Sequence, residues 1–422
     1  MKPKLLTTLE DYSLPQLRAD VLAGVTVAMV AIPLSIAIAI ASGANPANGL
    51  ITAIIGGFFI SLLGGSRVQI GGPTGAFIVV VYGVVAQHGY DGLVLATLMA
   101  GAILIVGGLL RAGSLIAYVP EPVVNGFTIG IAIIIGSSQL KDFLGLDVAK
   151  LPADFGPKMA ALWAARGTID WQTAGAGAGA LALIIVLRRL FPRLPGMIVA
   201  VAVVSAAVFA LHLPVDTIAS RYGELPRGLP MPSVPKITLA RIDDLLPSAF
   251  VIAFLAAIES LLSAMVADRL IEGKHRSNAE VLAQGWANMA SALFGGMPAT
   301  GAIARTATNV RAGGRTPVAG LAHAVTILLV MIVAAPLAGY MAMPALAAVL
   351  MMVSWNMSEP HKWREYMRAP ITDRLLLVLT LVLTVAVDLT TAIGVGVALG
   401  LALRLRASRT GPEHWSDHER NG

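Results

Sequence analysis

The sequence predicts an all-α membrane protein of about fourteen transmembrane helices, built as a 7+7 inverted repeat with two broken helices, spans 3 and 10. Three observations carry that prediction. Only 13% of the 422 residues are charged and 56% are hydrophobic, against about 25% charged in an ordinary soluble domain. Residues 22–66, 68–90, 92–110, 112–120 and 122–140 contain no Asp, Glu, Lys or Arg. A spanning helix needs roughly 20 apolar residues, and these runs supply several in series. Finally, one short motif rich in Gly and Pro occurs twice, slightly more than half the chain apart.

This composition excludes a soluble enzyme and a DNA-binding protein. The net charge of +6 does not argue for a nucleic-acid partner, because the Lys and Arg lie between apolar runs. With no cysteine, disulfides, thiolate metal sites and Cys nucleophiles drop out. The seven scattered His give no metal cluster. No Gly-x-Ser-x-Gly, His-Glu-x-x-His or phosphate-binding loop is present, so neither an enzyme nor a cofactor is expected. The polar N-terminus shows no cleavable signal peptide.

The spans fall at about 21–41, 48–65, 73–88, 91–110, 121–140, 173–190, 196–212, 246–268, 281–296, 300–312, 316–336, 340–355, 373–387 and 389–405. This gives a segment at 1–20, a first seven-helix repeat at 21–212, a loop at 213–245, a second repeat at 246–405 and a tail at 406–422. The other long loop, 141–172, also carries mixed charge, and both are expected to hold short surface segments. An even helix count puts both termini on one side. Arg188, Arg189 and Arg193 then share that side with Arg269, Lys274 and Arg276, with Lys362, Arg364, Arg368 and Arg374, and with Arg404, Arg406 and Arg409. The positive-inside rule makes it the cytoplasm. The 213–245 loop is therefore extracytoplasmic, and the protein is a multi-pass protein of a bacterial inner membrane. Gly175 to Gly179 lacks a preceding strand, so it reads as a close-packing helix face rather than a nucleotide loop.

The repeated motif is the most informative feature. Gly71-Gly72-Pro73-Thr74-Gly75-Ala76-Phe77 opens the third span, and Gly295-Gly296-Met297-Pro298-Ala299-Thr300-Gly301-Ala302-Ile303 opens the tenth. Spans three and ten are equivalent in a protein of two seven-helix halves. Because seven is odd, the second half is inverted. Gly and Pro interrupt the helix and free backbone donors, which survive in a membrane only where they are buried in protein or line a cavity. Each restarting helix presents free N–H groups and roughly half a positive charge. Two such ends meeting near the midplane make an anion site.

Ionisable groups inside spans are costly and usually functional. Glu259 is centred in the eighth span with Ser263 four residues on, hence on the same face. The pair suits a proton or a sodium ion as coupling ion. Arg305, about one turn into the tenth span, adds a full positive charge beside the helix ends. Ser35, after the Pro33 break of the first span, is placed to face the site. Glu121 is expected where a helix meets the interface, Asp388 at a turn, and His88 at the end of the third span as an interface residue.

These residues resemble the SulP family of anion transporters, solute carrier family 26. Ala23-Gly24-Val25-Thr26-Val27-Ala28-Met29-Val30-Ala31-Ile32-Pro33 is similar to that family's opening signature, and Ser66-Arg67-Val68-Gln69-Ile70-Gly71-Gly72-Pro73-Thr74 to its lead into the third span. Pro120-Glu121-Pro122-Val123 with Gly126-Phe127-Thr128-Ile129-Gly130 resembles the fifth span. Glu259-Ser260-Leu261-Leu262 and Arg305-Thr306-Ala307-Thr308-Asn309 resemble the eighth and tenth. The likeness covers about residues 15–405. It implies a core domain of spans 1–4 and 8–11 moving like an elevator against a gate domain, and a homodimer. It implies that Thr74, Gly75 and Ala76 form one helix-end donor set, and Gly301, Ala302 and Ile303 the other. Glu259 falls where an acidic residue supports coupling, and its pairing with Ser263 favours protons over sodium. Two departures stand out. The sequence stops about 17 residues after its last expected helix, without the cytoplasmic STAS domain usual in the family, and Ser35 stands where many relatives carry Gln or another polar group. The expectation is a secondary active transporter of small anions of the sulfate type, coupled to protons. The alternatives are a dicarboxylate or bicarbonate transporter, sodium-coupled in one version, and a nucleobase permease of the same fold.

Overall fold

The computed structural model describes residues 2–10, 12–111, 113, 120–192, 194–387 and 389–409, and these are mostly helical. The main helices are α1 (Leu14–Ala41), α2 (Pro46–Leu63), α3 (Phe77–Leu109), α4 (Glu121–Ser138), α5 (Trp171–Leu190), α6 (Gly196–Ala210), α7 (Leu239–Ile271), α8 (Ser277–Leu293), α9 (Ile303–Arg311), α10 (Val318–Gly339), α11 (Met343–Met357), α12 (Ile371–Ala386) and α13 (Leu389–Arg409). Two short strands, β1 (Gly71–Gly72) and β2 (Thr300–Gly301), pair antiparallel. Every stretch read as a span holds a helix. Among the described residues seven helices, α1 to α5, α7 and α10, are long and apolar enough to cross a membrane.

Several boundaries differ from the expected ones, each for a local reason. Ser13 forms a capping box with Gln16 and starts α1 seven residues early. Thr238 caps Arg241 N–H and starts α7 early too. The third and fourth spans are two helices that meet at Gly89 within Phe77–Leu109, labelled together as α3; the φ of 71° and ψ of 178° there interrupt the helix, a φ only glycine adopts freely. In contrast, α3 and α9 start late, at Phe77 and Ile303, because the Gly-Pro and Thr-Gly segments before them are extended. The two long loops hold the short helices Leu140–Leu144, Phe155–Ala164 and Ile218–Tyr222. Asp388, Arg193 and residues 410–422 of the tail lie outside the described residues, as do the side chains of Arg404, Arg406 and Arg409.

Helix α3 packs along α7 and α8, α1 along α10, α4 along α12, and α5 along α6 and α11. Glycine sets the crossing of α3 and α8. A Cβ on Gly101 would lie 2.8 Å from the Gly285 carbonyl oxygen, and one on Gly285 would lie 2.8 Å from that of Gly101. The two backbones therefore touch, as small-residue crossings allow. The run at Gly175 to Gly179 is not such a face throughout. A Cβ on Gly177 would meet the Phe143 ring, but one on Gly175 or Gly179 would meet nothing within 4 Å. The helical period turns those two away from the loop helix that Gly177 contacts.

Candidate functional site

The site grows from the strand pair. Residues 64–76 and 294–302 are non-helical and run into α3 and α9. Gly71 pairs with Gly301 and Gly72 with Thr300, so the two copies of the motif lie side by side. Buried side chains satisfy much of the remaining backbone. Ala302 N–H donates to Ile70 O at 2.8 Å, and Ile70 N–H to Thr306 Oγ1 at 3.1 Å. Asn288 on α8 brackets Ala299, donating to its carbonyl at 2.8 Å and accepting its N–H at 2.9 Å. Asn309 donates to Val68 O at 2.8 Å, and the Thr300 hydroxyl to Ala256 O on α7 at 2.9 Å. A polar group left unpaired here would cost several kcal/mol, so these bonds hold an irregular segment inside an apolar bundle.

Some donors stay open. Among the described residues, no acceptor meets the backbone N–H groups of Thr74, Gly75 and Ala76, nor those of Ile303, Ala304 and Arg305. Each set sits where its helix begins, at the positive end of the dipole. The second set differs from the expected one by a residue or two. Ala302 N–H is committed to Ile70, Gly301 lies in the strand pair, and the open donors begin at Ile303. Ile303 and Ala304 are exposed.

Arg305 is 1% exposed and is the largest fully buried side chain among the described residues. Its Nη2 donates to Ser35 Oγ at 3.0 Å and to Pro73 O at 3.2 Å. Its Nε and Nη1 have no partner, and no carboxylate lies within 4.0 Å among the described residues. Gly72, at φ 151°, leaves the space the guanidinium fills, because a Cβ there would collide with Nη1. Ser35 thus belongs to the site through Arg305. A buried cation without a counter-charge is expensive, and an anion beside it would remove that cost.

Glu259 is partly buried and accepts a hydrogen bond from the Thr74 hydroxyl at 2.7 Å. It therefore stands at one side of the 72–74 segment, while Arg305 holds Pro73. Ser263, fully buried, lies 3.3 Å from Thr306 Oγ1. The shared helix face places it near Glu259, but its hydrogen bond goes to α9. His88 sits just before the Gly89 break and pairs with Asp244 at 3.1 Å, and Glu121 is the exposed first residue of α4.

Sequence reasoning missed Glu280, which is fully buried. Its Oε2 accepts from Gly65 N–H at 2.8 Å and Ser66 N–H at 3.2 Å, and its Oε1 from Ser260 at 3.0 Å and Gln284 at 2.8 Å. Gln69, which donates to the same Ser260 at 2.9 Å, extends this network toward β1. Asp20 was missed as well. It accepts from Arg315 N–H at 2.7 Å, from Thr316 N–H and hydroxyl at 3.2 and 2.5 Å, and from Tyr12 at 2.9 Å. His323 on α10 is buried with neither ring nitrogen partnered. No motif marks these residues. The available signal was an acid beside an apolar run for Asp20 and Glu280, and a lone His inside one for His323.

Comparison with known proteins shows the family and the fold. Residues 17–380 match the sulfate permease family. The chain is 43% identical over 373 residues to the putative sulfate transporter YvdB of Bacillus subtilis, covering 88% of this chain and 70% of that protein. It is 32% identical to the bicarbonate transporter BicA of Picosynechococcus, covering 79% of this chain and 60% of that protein. Among solved structures, the transmembrane domain of a cyanobacterial BicA superposes with a TM-score of 0.81 at 32% identity, covering 91% of this chain and 99% of that one. The murine Slc26a9 anion transporter in its inward-facing state superposes at 0.86 with 18% identity, over 96% of this chain and 71% of that one, and so shares the fold. The chain is thus an integral, multi-pass membrane protein that belongs to the sulfate permease family, whose members are transporters and not enzymes.

Proposed function

We propose that the chain is a secondary active transporter of small inorganic or organic anions, of the sulfate type, driven by protons. One observation carries the reading: the β1–β2 pair brings the open N–H groups at the starts of α3 and α9 to a buried Arg305 that forms no ion pair among the described residues. Relatives named as sulfate and bicarbonate transporters support the anion class. Thr74, Gly75, Ala76, Ile303 and Arg305 would hold the anion, with Gly301 and Ala302 fixing the register and Ser35 orienting the guanidinium.

Charge counting gives the coupling. Two helix ends of about half a charge each plus Arg305 make roughly +2, which an ionised Glu259 lowers to about +1. A proton on Glu259 restores the attraction for a dianion, with Ser263 in support. Glu259→Gln therefore keeps anion exchange but loses the pH dependence of net uptake. A pH profile unchanged in that variant would end the coupling scheme.

The elevator-like movement, the division into a 7+7 inverted repeat with core and gate, the domain limits 1–20, 21–212, 213–245, 246–405 and 406–422, cytoplasmic termini in a bacterial inner membrane and a homodimer belong to the same proposal. The matched order of the two motifs and their antiparallel pairing support the inversion. Liposomes containing the protein, given labelled sulfate, bicarbonate or succinate with and without a pH or sodium gradient, test it. Proton-stimulated sulfate uptake is the expected result. Sodium-stimulated bicarbonate or succinate uptake would favour the second reading, which the likeness to BicA supports. Uptake of nucleobases alone would overturn both.

A further inference from the structure

Away from the helix ends, a cavity of about 760 Å³ lies between the 141–151 loop segment, the short helix Phe155–Ala164 and the first two turns of α3. Its inner wall includes Ile78, Val79 and Tyr82. At 1.5 Å per residue, Tyr82 lies about 9 Å along α3 from the open N–H of Ala76.

The formal charges on its wall cancel, four basic side chains against four acidic ones, but their partners are unevenly distributed. Arg221 is consumed by Asp142 at 2.6 Å and Asp216 at 2.7 Å. Asp170 is consumed in capping α5, accepting from Gln172 and Thr173 N–H at 3.3 and 3.0 Å. Lys141, Lys150, Lys158 and Asp147 form no ion pair among the described residues, so most of the acidic charge is tied up by Arg221 and the start of α5 while the three lysines stay available to a mobile anion.

Lys158 is the unusual member. It is only 4% exposed, yet it lines the cavity. Its ammonium stands 5.7 Å from the centre of the Tyr82 ring, a cation–π contact, and Tyr82 is itself fixed by donating to Leu151 O at 2.5 Å. Burial pushes the lysine below its usual range, and Asp154, one turn earlier, pulls it back up. A buried ammonium with no paired carboxylate is costly, and a mobile anion in the cavity would offset that cost.

The geometry points to a vestibular anion subsite centred on Lys158 and Tyr82, which concentrates the transported anion before it reaches the ends of α3 and α9. The subsite rests on the proposed transport function. It acts on capture from the loop side, not on the transport step.

Two measurements test it. In cells or right-side-out vesicles, Lys158→Met is expected to raise the apparent KM for external sulfate about tenfold, the loss of one charge-assisted contact. The maximal rate and the KM from the opposite face stay unchanged, and Lys158→Arg stays near the parent. On purified protein, pyridoxal phosphate followed by borohydride is expected to label Lys158, and millimolar sulfate is expected to protect it, as read by mass spectrometry. An unshifted KM, equal shifts from both faces, or labelling that sulfate does not slow would overturn the subsite. If the parent moves no anion while sulfate still protects Lys158, the transport reading fails and the binding site stands.

Discussion

Glu280 shows how much one buried carboxylate can organise. Four donors converge on it: two backbone N–H groups that end the turn after α2, the Ser260 hydroxyl beside Glu259, and the Gln284 amide. Removing the acceptor strands donors that water cannot reach, at about 1–3 kcal/mol for each group left unsatisfied. Glu280→Ala should therefore lower the thermal unfolding midpoint in detergent by several degrees. Glu280→Gln, which keeps one acceptor oxygen, should lose less. Equal midpoints for both variants and the parent would remove Glu280 from the framework. This residue was illegible in the sequence because it lies at the edge of the eighth-to-ninth connection, where an acid reads as a loop charge. Its partners Gly65 and Ser66 are more than two hundred positions away. Glu259 was legible because an acid in the middle of an apolar run has no such innocent reading. Arg305 and Ser35 could each be named in advance, but the bond between them depends on the packing of α1 against α9.

At the scale of elements, the helices were legible from charge-free runs, while their ends and contacts were not. Apolar periodicity carries no record of where an extended segment finds a partner, so the late starts of α3 and α9 depend on the β1–β2 pairing. The α3–α8 crossing is a similar case. Its closeness depends on Gly101 and Gly285 meeting each other, and on Gly108 meeting Leu282, where a Cβ would lie 2.9 Å from the Leu282 nitrogen. Side chains larger than hydrogen force the helices apart, and overpacking of this kind costs about 1–3 kcal/mol. Gly285→Val should therefore destabilise the protein markedly. Gly179→Val, on a face of α5 that meets nothing within 4 Å, should have little effect. Comparing the two unfolding midpoints checks the crossing, and equal losses would show that helix propensity, not contact, sets the penalty.

For the whole molecule, the decisive quantity is which side each loop faces, because the vestibule, the coupling scheme and the cytoplasmic termini all depend on it. Helix α7 offers the cleanest measurement. It runs unbroken over 33 residues, about 50 Å at 1.5 Å per residue, well beyond a hydrocarbon core of about 30 Å. A helix of this length that crosses the bilayer leaves its flanks in opposite compartments. Met231, 87% exposed, precedes it in the 213–245 loop, and Lys274 follows it in the basic 269–276 loop. The sequence contains no cysteine, so a single introduced thiol is the only one to react. A membrane-impermeant maleimide should label Met231→Cys in intact cells and Lys274→Cys only after permeabilisation. The reverse pattern would invert the molecule and move the Lys158 cavity to the cytoplasmic face. Labelling of both in intact cells would mean that α7 does not span. The expected pattern follows from the basic loops alone, because moving Arg269, Lys274 and Arg276 outward would oppose the charge bias that orients membrane helices.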